Sequence, residues 1–333
     1  MTAKRIVVTG ATGSIGESAA EVMREHPSSF RPVAFAALKS RERCEALARE
    51  FGAKAYLGED SALRAVEESD ADICLVATVG ASGVAPALAA IEKGMDIALA
   101  TKEVMVIAGD EVVAAARRRG VRILPVDSEH SAIFQCIQSG GEVSRLVLTA
   151  SGGPFLDGPE DLSSVTPEMA LSHPRWKMGP KVTVDSSTMM NKGFEIIEAS
   201  RLFGIPQSRI DVVVHPQSIV HSLVEFADGA TLAQLSPPDM RIAIQYALSW
   251  PERLPSRRER LDLAATGSLV FRPLDERRFP AIALARKALE MGGDATARLA
   301  EADERAVADF LSGKIGYTDI IKTCEEALCS NGL

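Results

Sequence analysis

The sequence predicts an α/β protein: an N-terminal doubly wound, Rossmann-like domain, a central α+β domain and a short C-terminal helical domain. Three observations carry that prediction. From residue 5 to about 150, short apolar runs alternate with helical periodicity, a rhythm that builds a mostly parallel sheet covered by helices. After Gly152 the rhythm gives way to loops and longer strands, two of them joined by an Asp-Gly turn. From about residue 279 amphipathic helical periodicity takes over.

Taken in order, RIVV, PVAFAAL, AKAYLG, DICLVATVG, DIALATKE, VRILPV and RLVLTAS read as strands. Their near-continuous apolar character suits strands covered on both faces. GESAAEVMREH, SRERCEALAREFG, SALRAVEES, ASGVAPALAAIEKG and GDEVVAAARRRG read as the intervening helices, several closing on a glycine suited to a left-handed cap. A loop-rich stretch, GGPFLDGPEDLSSVTPEMALSHPRWKMGPK, then leads to VTVDSS, expected as a polar strand, and to a helix in TMMNKGFEIIEASRLFG. Longer strands follow in RIDVVVHPQSIVHSLVEFADGATLAQLS, with the turn at FADGATL. WPERLPSRRER opens a connection to the helical segments AIALARKALEMGG and TARLAEADERAVADFLSG. The expected segmentation is therefore 1–150, 151–255, a linker at 256–278, and 279–333.

Bulk properties exclude several classes. A chain of 333 residues is too long for one ordinary core. Its 46% apolar and 25% charged content is that of a globular protein, and no apolar run reaches bilayer-spanning length. MTAKRIVVTG enters a strand pattern at once, without the look of a targeting peptide. A net charge of −8 argues against general nucleic-acid affinity, which needs a basic face. The five cysteines lack metal-ligand spacing, so reduced thiols in a cytoplasmic protein are expected.

GATGSIG follows the first strand and opens the first helix, with Gly10, Gly13 and Gly16 permitting a tight turn and a close backbone approach to a pyrophosphate. At the end of the second strand, where an NAD-binding domain places an acidic residue for the ribose hydroxyls, this chain offers LKSRER. Lys39, Ser40, Arg41 and Arg43 suit a 2′-phosphate, which favours NADP(H).

PVDSEH raises a different question, because Asp127 and Glu129 crowd the tip of an apolar strand. In extended backbone they point the same way and repel unless a cation lies between them. Oxygen donors without cysteine favour Mg²⁺ or Mn²⁺ over zinc, with Glu195 or Glu198 as a further ligand. The competing reading is capping of the helix HSAIFQCIQ by Asp127 and Ser128. TASGGPF and VDSSTMMNK add Ser151, Ser186, Asn191 and Lys192, a suitable cradle for a phosphate monoester. SHPRWKMG reads as a mobile loop carrying one large aromatic, Trp176, suited to excluding water from a hydride transfer.

GATGSIG, TKE, PVDSEHSAIFQ, LTASGGPF, HPRWKMGPKVTVDSSTMMNKGFEIIEA, HPQSIVHSLVEFADG and PPDMR, in this order, resemble the 1-deoxy-D-xylulose 5-phosphate reductoisomerase family over residues 5 to about 320. The resemblance implies rearrangement and reduction of that ketose phosphate to 2-C-methyl-D-erythritol 4-phosphate, with NADPH and a divalent metal, in non-mevalonate isoprenoid synthesis. It implies a cytoplasmic homodimer, with the strands around 211–235 as an interface. By position it makes Asp127, Glu129 and Glu195 the metal ligands and Glu198 a structural helix residue. Ser151, Ser186, Asn191 and Lys192 match phosphate contacts, while Ser128 and Lys102 match residues touching the substrate backbone. His173, Trp176 and Met178 match the closing loop, and His215 lies near the site; His221 reads as structural. Gly10 and the adjoining Thr12, Gly13, Ser14 and Ile15 match the nucleotide loop, Lys39, Ser40 and Arg41 the 2′-phosphate, and Glu103 the nicotinamide-side ribose.

The chain departs from the family pattern at Thr101, where the usual NKE reads TKE, at Leu38, where a glycine is common, and in a shorter C-terminal region. Two alternatives stand beside the reductoisomerase. One is a paralogue acting on another phosphorylated ketose or branched aldehyde; the other is a non-catalytic NADP(H) sensor, which three retained carboxylates speak against.

Overall fold

In the computed structural model, residues 2–176 and 178–329 are described. The last four residues of the expected C-terminal domain, 330–333, lie outside them. The chain forms two compact units, one running to Phe134 and resuming at Asp239–Glu259, the other comprising Gln135–Pro238 and the chain from Arg260.

The first unit alternates as its sequence predicts: β1 (Lys4–Thr9), α1 (Ser14–Glu25), β2 (Phe30–Ala37), α2 (Arg41–Phe51), β3 (Lys54–Leu57), α3 (Ser61–Glu67), β4 (Ile73–Val76), α4 (Val84–Glu92), β5 (Asp96–Leu99), α5 (Glu103–Arg119), β6 (Ile123–Pro125) and α6 (Ser128–Ile137). The six strands are parallel in the order β3-β2-β1-β4-β5-β6, the doubly wound order whose reversal beside β1 opens a crevice at the strand ends. Ile6, Val8, Phe35, Ile73 and Leu75 pack with Ala19, Ala20, Val22 and Met23 of α1. Each large buried side chain contributes about 1.5–3 kcal/mol. Gly52 and Gly120 cap α2 and α5 in the left-handed conformation, as their sequence positions require.

The second unit holds β7 (Val143–Ala150), α7 (Pro167–Ala170), α8 (Pro180–Thr188), α9 (Met190–Phe203), β8 (Ile210–Val214), β9 (Val220–Phe226) and β10 (Thr231–Leu235). After α10 (Met240–Ser249), which belongs to the first unit, come α11 (Leu263–Thr266), β11 (Arg272–Pro273), α12 (Ala281–Met291), α13 (Ala295–Leu311) and α14 (Tyr317–Cys329). The mixed sheet runs β10-β9-β7-β8-β11, and the Asp-Gly turn joins β9 to β10 antiparallel, with Gly229 at φ 85°.

Four expectations are corrected. The boundary at 150 moves back, because β7 is the central strand of the second sheet. A helix over 240–249 was not expected; its Ile244, Ala247 and Leu248 complete the core under α1, so 239–259 returns to the first unit. VTVDSS is helical, not a strand: Pro180 stands at the first helical position after Gly179, and burial of Thr183, Val184 and Ser187 outweighs the weak strand preference of β-branched residues. Finally, the linker 256–278 contains α11 and β11, and β11 pairs with β8.

Candidate active site

In the first unit, the nucleotide loop is built by backbone proximity. Gly10 sits at φ 69°, and a Cβ there would lie 2.1 Å from the Ala77 carbonyl oxygen. A Cβ on Gly16 would meet the Ala11 carbonyl oxygen at 2.4 Å, so the turn and the start of α1 close tightly. Gly13 caps α1 with no side chain of its own, while Gly13 and Ser14 are exposed and Thr12 is half-buried. This is a helix N-terminus open to an anion. Ile15 packs toward the core instead. Lys39, Ser40 and Arg41 are exposed where β2 ends. Arg43 is committed elsewhere, donating to both Glu17 oxygens at 2.5 Å, whereas Arg41 makes a longer contact to Glu45 at 3.3 Å. These donors fit a phosphorylated dinucleotide.

The tip of β6 differs from the extended geometry read from the sequence. β6 ends at Pro125 and α6 begins at Ser128, so Glu129 lies in the first turn of a helix. Asp127 stands just ahead of it, its carbonyl accepting from the Ser131 amide at 2.8 Å. The capping position and the paired carboxylates therefore coincide: Asp127 and Glu129 present oxygens within 4.8 Å of each other. Lys102, immediately before α5, places its ammonium 2.5 Å from Asp127. Burial opposes ionisation of Asp127, but the neighbouring Lys102 and His130 and hydrogen bonds from Lys102 and Glu129 hold its carboxyl far below the usual range. The Ser128 hydroxyl donates to Glu129. Two neighbouring carboxyls, with Asp127 held in its ionised form, make an oxygen-only donor set that fits a hard divalent cation. Glu103 is buried at the start of α5. Thr101 spends its hydroxyl on the carbonyl oxygens of Thr78 (2.6 Å) and Val76 (3.3 Å), bracing the turn after β4.

In the second unit, Gly152 and Gly153 take φ of 89° and 64° after β7. A Cβ on Gly153 would lie 2.8 Å from the Ser186 carbonyl oxygen, so the loop bearing Ser151 runs against the end of α8. Met189, at φ 65°, breaks the chain between α8 and α9. Beyond the break, Asn191 donates to one oxygen of Glu195 at 2.5 Å, and Lys192 pairs with the other. Their three- and four-residue spacing places all three on one helix face, and Lys192 and Glu195 are almost wholly buried. Glu198 is buried one turn further along.

The loop after α7 has a defined anchor. His173 accepts at Nδ1 from the amides of Arg175 (3.1 Å) and Trp176 (2.9 Å). Its proton therefore sits on Nε2, which donates to the Ser151 hydroxyl at 3.2 Å, and burial pushes its pKa down, keeping it neutral. Arg175 donates to the Pro216 carbonyl; Trp176 lies half-buried with its ring 6.4 Å from His221. Met178 is half-buried, beyond Lys177, which is outside the described residues. His215 is buried, donates from Nδ1 to the Val270 carbonyl at 2.8 Å and stacks on Phe271 at 4.7 Å. His221 is tied to Ser236.

Sequence reasoning missed the buried group of Lys181, Asp185 and Asp303 in this unit. The i, i+4 spacing of the first two is a helix signal, hidden when VTVDSS is read as a strand.

Comparison with known proteins gives a consistent answer. The 1-deoxy-D-xylulose 5-phosphate reductoisomerase family matches residues 6–57 and 49–109, its C-terminal domain residues 123–203, and the DXP reductoisomerase C-terminal domain residues 235–332. The chain is 49% identical to 1-deoxy-D-xylulose 5-phosphate reductoisomerase of Symbiobacterium thermophilum, over 96% of this chain and 90% of that one. It is 48% identical to the protein of that name from Caulobacter vibrioides, over 95% and 86%. Among solved structures, the Zymomonas mobilis reductoisomerase in complex with NADPH superposes with TM-score 0.92 at 38% identity, covering 100% of this chain and 93% of that one. A DOX-P reductoisomerase with NADPH, fosmidomycin and magnesium gives 0.93 at 39%, covering 98% and 89%.

Proposed function

Because the chain belongs to the 1-deoxy-D-xylulose 5-phosphate reductoisomerase family, we propose that it isomerises and reduces 1-deoxy-D-xylulose 5-phosphate to 2-C-methyl-D-erythritol 4-phosphate, using NADPH and Mg²⁺ or Mn²⁺. The observation that carries this reading is the Asn191–Lys192–Glu195 face of α9, present in the same chain as a glycine-lined nucleotide loop and the paired carboxyls of Asp127 and Glu129. A simple dehydrogenase has no use for all three.

In this reading Asp127, Glu129 and Glu195 hold the divalent ion, and Lys102 and Ser128 orient the substrate's carbon chain. When bound, the ion supplies Lewis-acid polarisation of the substrate's oxygens and NADPH supplies the hydride. Gly10, Thr12, Gly13, Ser14 and Ile15 receive the pyrophosphate on backbone amides, Lys39, Ser40 and Arg41 take the 2′-phosphate, and Glu103 takes the nicotinamide-side ribose. Ser151, Ser186, Asn191 and Lys192 grip the substrate phosphate. Binding energy spent there, away from the reacting carbons, draws down the loop of His173, Trp176 and Met178 and excludes water. His215 donates from Nδ1 to the Val270 carbonyl, which leaves its Nε2 for contact with a substrate hydroxyl. Thr101 gives no reason to prefer a paralogous substrate, since its side chain is absorbed by the turn after β4.

A cytoplasmic homodimer completes the proposal. β10 is the outer strand of its sheet, with Thr231, Leu232 and Ala233 exposed, an unpaired edge of the kind that recruits a second chain. Among the described residues no helix is long and apolar enough to cross a membrane.

The test is direct. Purified protein with 1-deoxy-D-xylulose 5-phosphate, NADPH and Mg²⁺ or Mn²⁺ should oxidise NADPH and yield 2-C-methyl-D-erythritol 4-phosphate, and chelation of the metal should abolish turnover. No oxidation with either metal sinks the assignment.

A further inference from the structure

The C-terminal helices grip α8 at both ends. In its first turn, Lys181 reaches Asp185 at 2.5 Å and Asp303 of α13 at 2.8 Å, and its ammonium lies 4.9 Å from the centre of the Phe194 ring of α9. At the other end, the Tyr317 hydroxyl, opening α14, donates to the Ser187 hydroxyl at 3.1 Å. Ser187 is the direct neighbour of Ser186, whose carbonyl the Gly153 turn presses against.

The loop that follows Ser151 rests on the same supports. The Tyr317 ring meets Phe155 edge-on at 5.4 Å. Arg278 donates to the carbonyls of Phe155 and Pro159, at 2.9 and 2.7 Å. Phe155 and Val184 bury in one cluster with Ala306, Val307, Phe310 and Ile320 of the two C-terminal helices.

Stability alone is a poor reason for this ionic arrangement. Asp303 is fully buried and Asp185 nearly so, and taking such charges out of water is costly even when they are paired. Apolar side chains of similar volume commonly stabilise a core as well or better. What an ion pair adds is direction, a single register of one helix against another. Here the register set is that of α8 against α13.

We propose that Asp303 and Tyr317 are positioning residues for the substrate-phosphate cradle, locking α8 so that Ser186 and the Ser151 loop converge on one anion. The proposal rests on the phosphate role given above to Ser151 and Ser186. The C-terminal region thus acts on substrate affinity without touching substrate.

Steady-state kinetics of the full-length protein test it. Asp303→Ala should raise KM for 1-deoxy-D-xylulose 5-phosphate about tenfold, as misplaced positioning groups do, with NADPH affinity unchanged. Tyr317→Phe keeps the ring and removes only the hydroxyl, so it folds and should raise KM roughly threefold, the worth of one hydrogen bond. Asp303→Asn keeps an oxygen acceptor for Lys181 and should return KM close to wild type. Turnover of 1-deoxy-D-xylulose, which has no phosphate, should be the same in all four proteins. A purely structural role predicts a lower melting temperature with KM unmoved. Unchanged KM in Asp303→Ala and Tyr317→Phe overturns the proposal, and Tyr317→Phe decides alone if Asp303→Ala does not fold. Should wild-type protein fail to turn over the sugar phosphate, the functional assignment fails separately. Titration with inorganic phosphate then decides: weaker binding in both variants supports the cradle, and equal binding overturns it.

Discussion

The molecule holds two candidate phosphate cradles built on opposite plans. In the first unit the groups proposed to face the anion are backbone amides at the head of α1, and Gly10 and Gly16 are required because neighbouring carbonyls leave no room for a Cβ. In the second unit the groups are side chains, Ser151, Ser186, Asn191 and Lys192, drawn from a loop, a helix end and the next helix start. A backbone cradle is selective for the pyrophosphate's shape and insensitive to which side chains surround it. A side-chain cradle is selective for charge and exact reach, and depends on whatever holds its separate segments together. The two should therefore fail differently when altered.

The largest expected effect is at the metal. Glu195→Gln removes one anionic oxygen from a face already crowded by Asn191 and Lys192, and kcat should fall roughly 10³-fold, in the range seen when one electrostatic stabiliser is lost. NADPH affinity, measured by fluorescence titration, should not move. Near-normal turnover would take Glu195 out of the ligand set.

Next comes the backbone cradle. Gly10→Ala drives a methyl group to within 2.1 Å of the Ala77 carbonyl at a positive φ, so the loop or the strand must shift, at a cost of about 2–4 kcal/mol. The melting temperature and NADPH affinity should fall together. A variant with intact NADPH binding contradicts the close approach described for this loop.

Side-chain recognition of the 2′-phosphate should be weaker and separable. Lys39→Ala with Arg41→Ala should raise the NADPH dissociation constant about tenfold, leave NADH binding alone, and flatten the salt dependence, since both cations are exposed and screened. Equal losses for NADPH and NADH would show that the pair supports the fold and does not read the phosphate.

The smallest effect is at Asp239, which caps α10 by accepting from the Arg241 amide at 3.0 Å. Burial raises its pKa, but hydrogen bonds from the Arg241 side chain and amide, with the charges of Arg241 and Arg258, lower it further than burial lifts it. A carboxyl depressed in the folded state adds stability above the ordinary carboxylate range and loses it as pH falls through the depressed value. Asp239→Asn keeps the cap and removes only the charge that faces Arg241 and Arg258, so it should cost about 1 kcal/mol at pH 7. The two melting curves should converge in acid; a gap that persists at low pH assigns the loss to packing.

This difference between the cradles also explains what could be read in advance. Gly10 and Gly16 are legible because a steric requirement leaves one residue type, and the parallel, doubly wound sheet follows from local alternation. The carboxylates at Asp127 and Glu129 stand out against an apolar strand, though their geometry was read as extended when α6 in fact starts at Ser128. Side-chain groups such as Ser186 carry a weaker signal, a set of hydroxyls, an amide and an ammonium beside glycines in TASGGPF and VDSSTMMNK that suits a phosphate, and the family resemblance implies the same residues. VTVDSS misled because propensity is local while the burial of Thr183 and Val184 is tertiary. Residues 239–259 misled for a related reason: nothing local says that a chain will return to a unit it left a hundred residues earlier. Lys181, Asp185 and Asp303 went unseen since two helices distant in sequence meet there.

Met189 shows what a single backbone turn can enforce. It divides what would be one rod into α8 and α9, letting Ser186 end one helix while Asn191 and Lys192 begin the next. A helix rotates by about 100° per residue, so one residue gained or lost at this joint would swing Lys192 and Glu195 round to a different side of α9 as seen from α8. Chain length at the joint is thus constrained as tightly as the chemistry of the side chains it presents, and natural insertions in this region should fall anywhere but here.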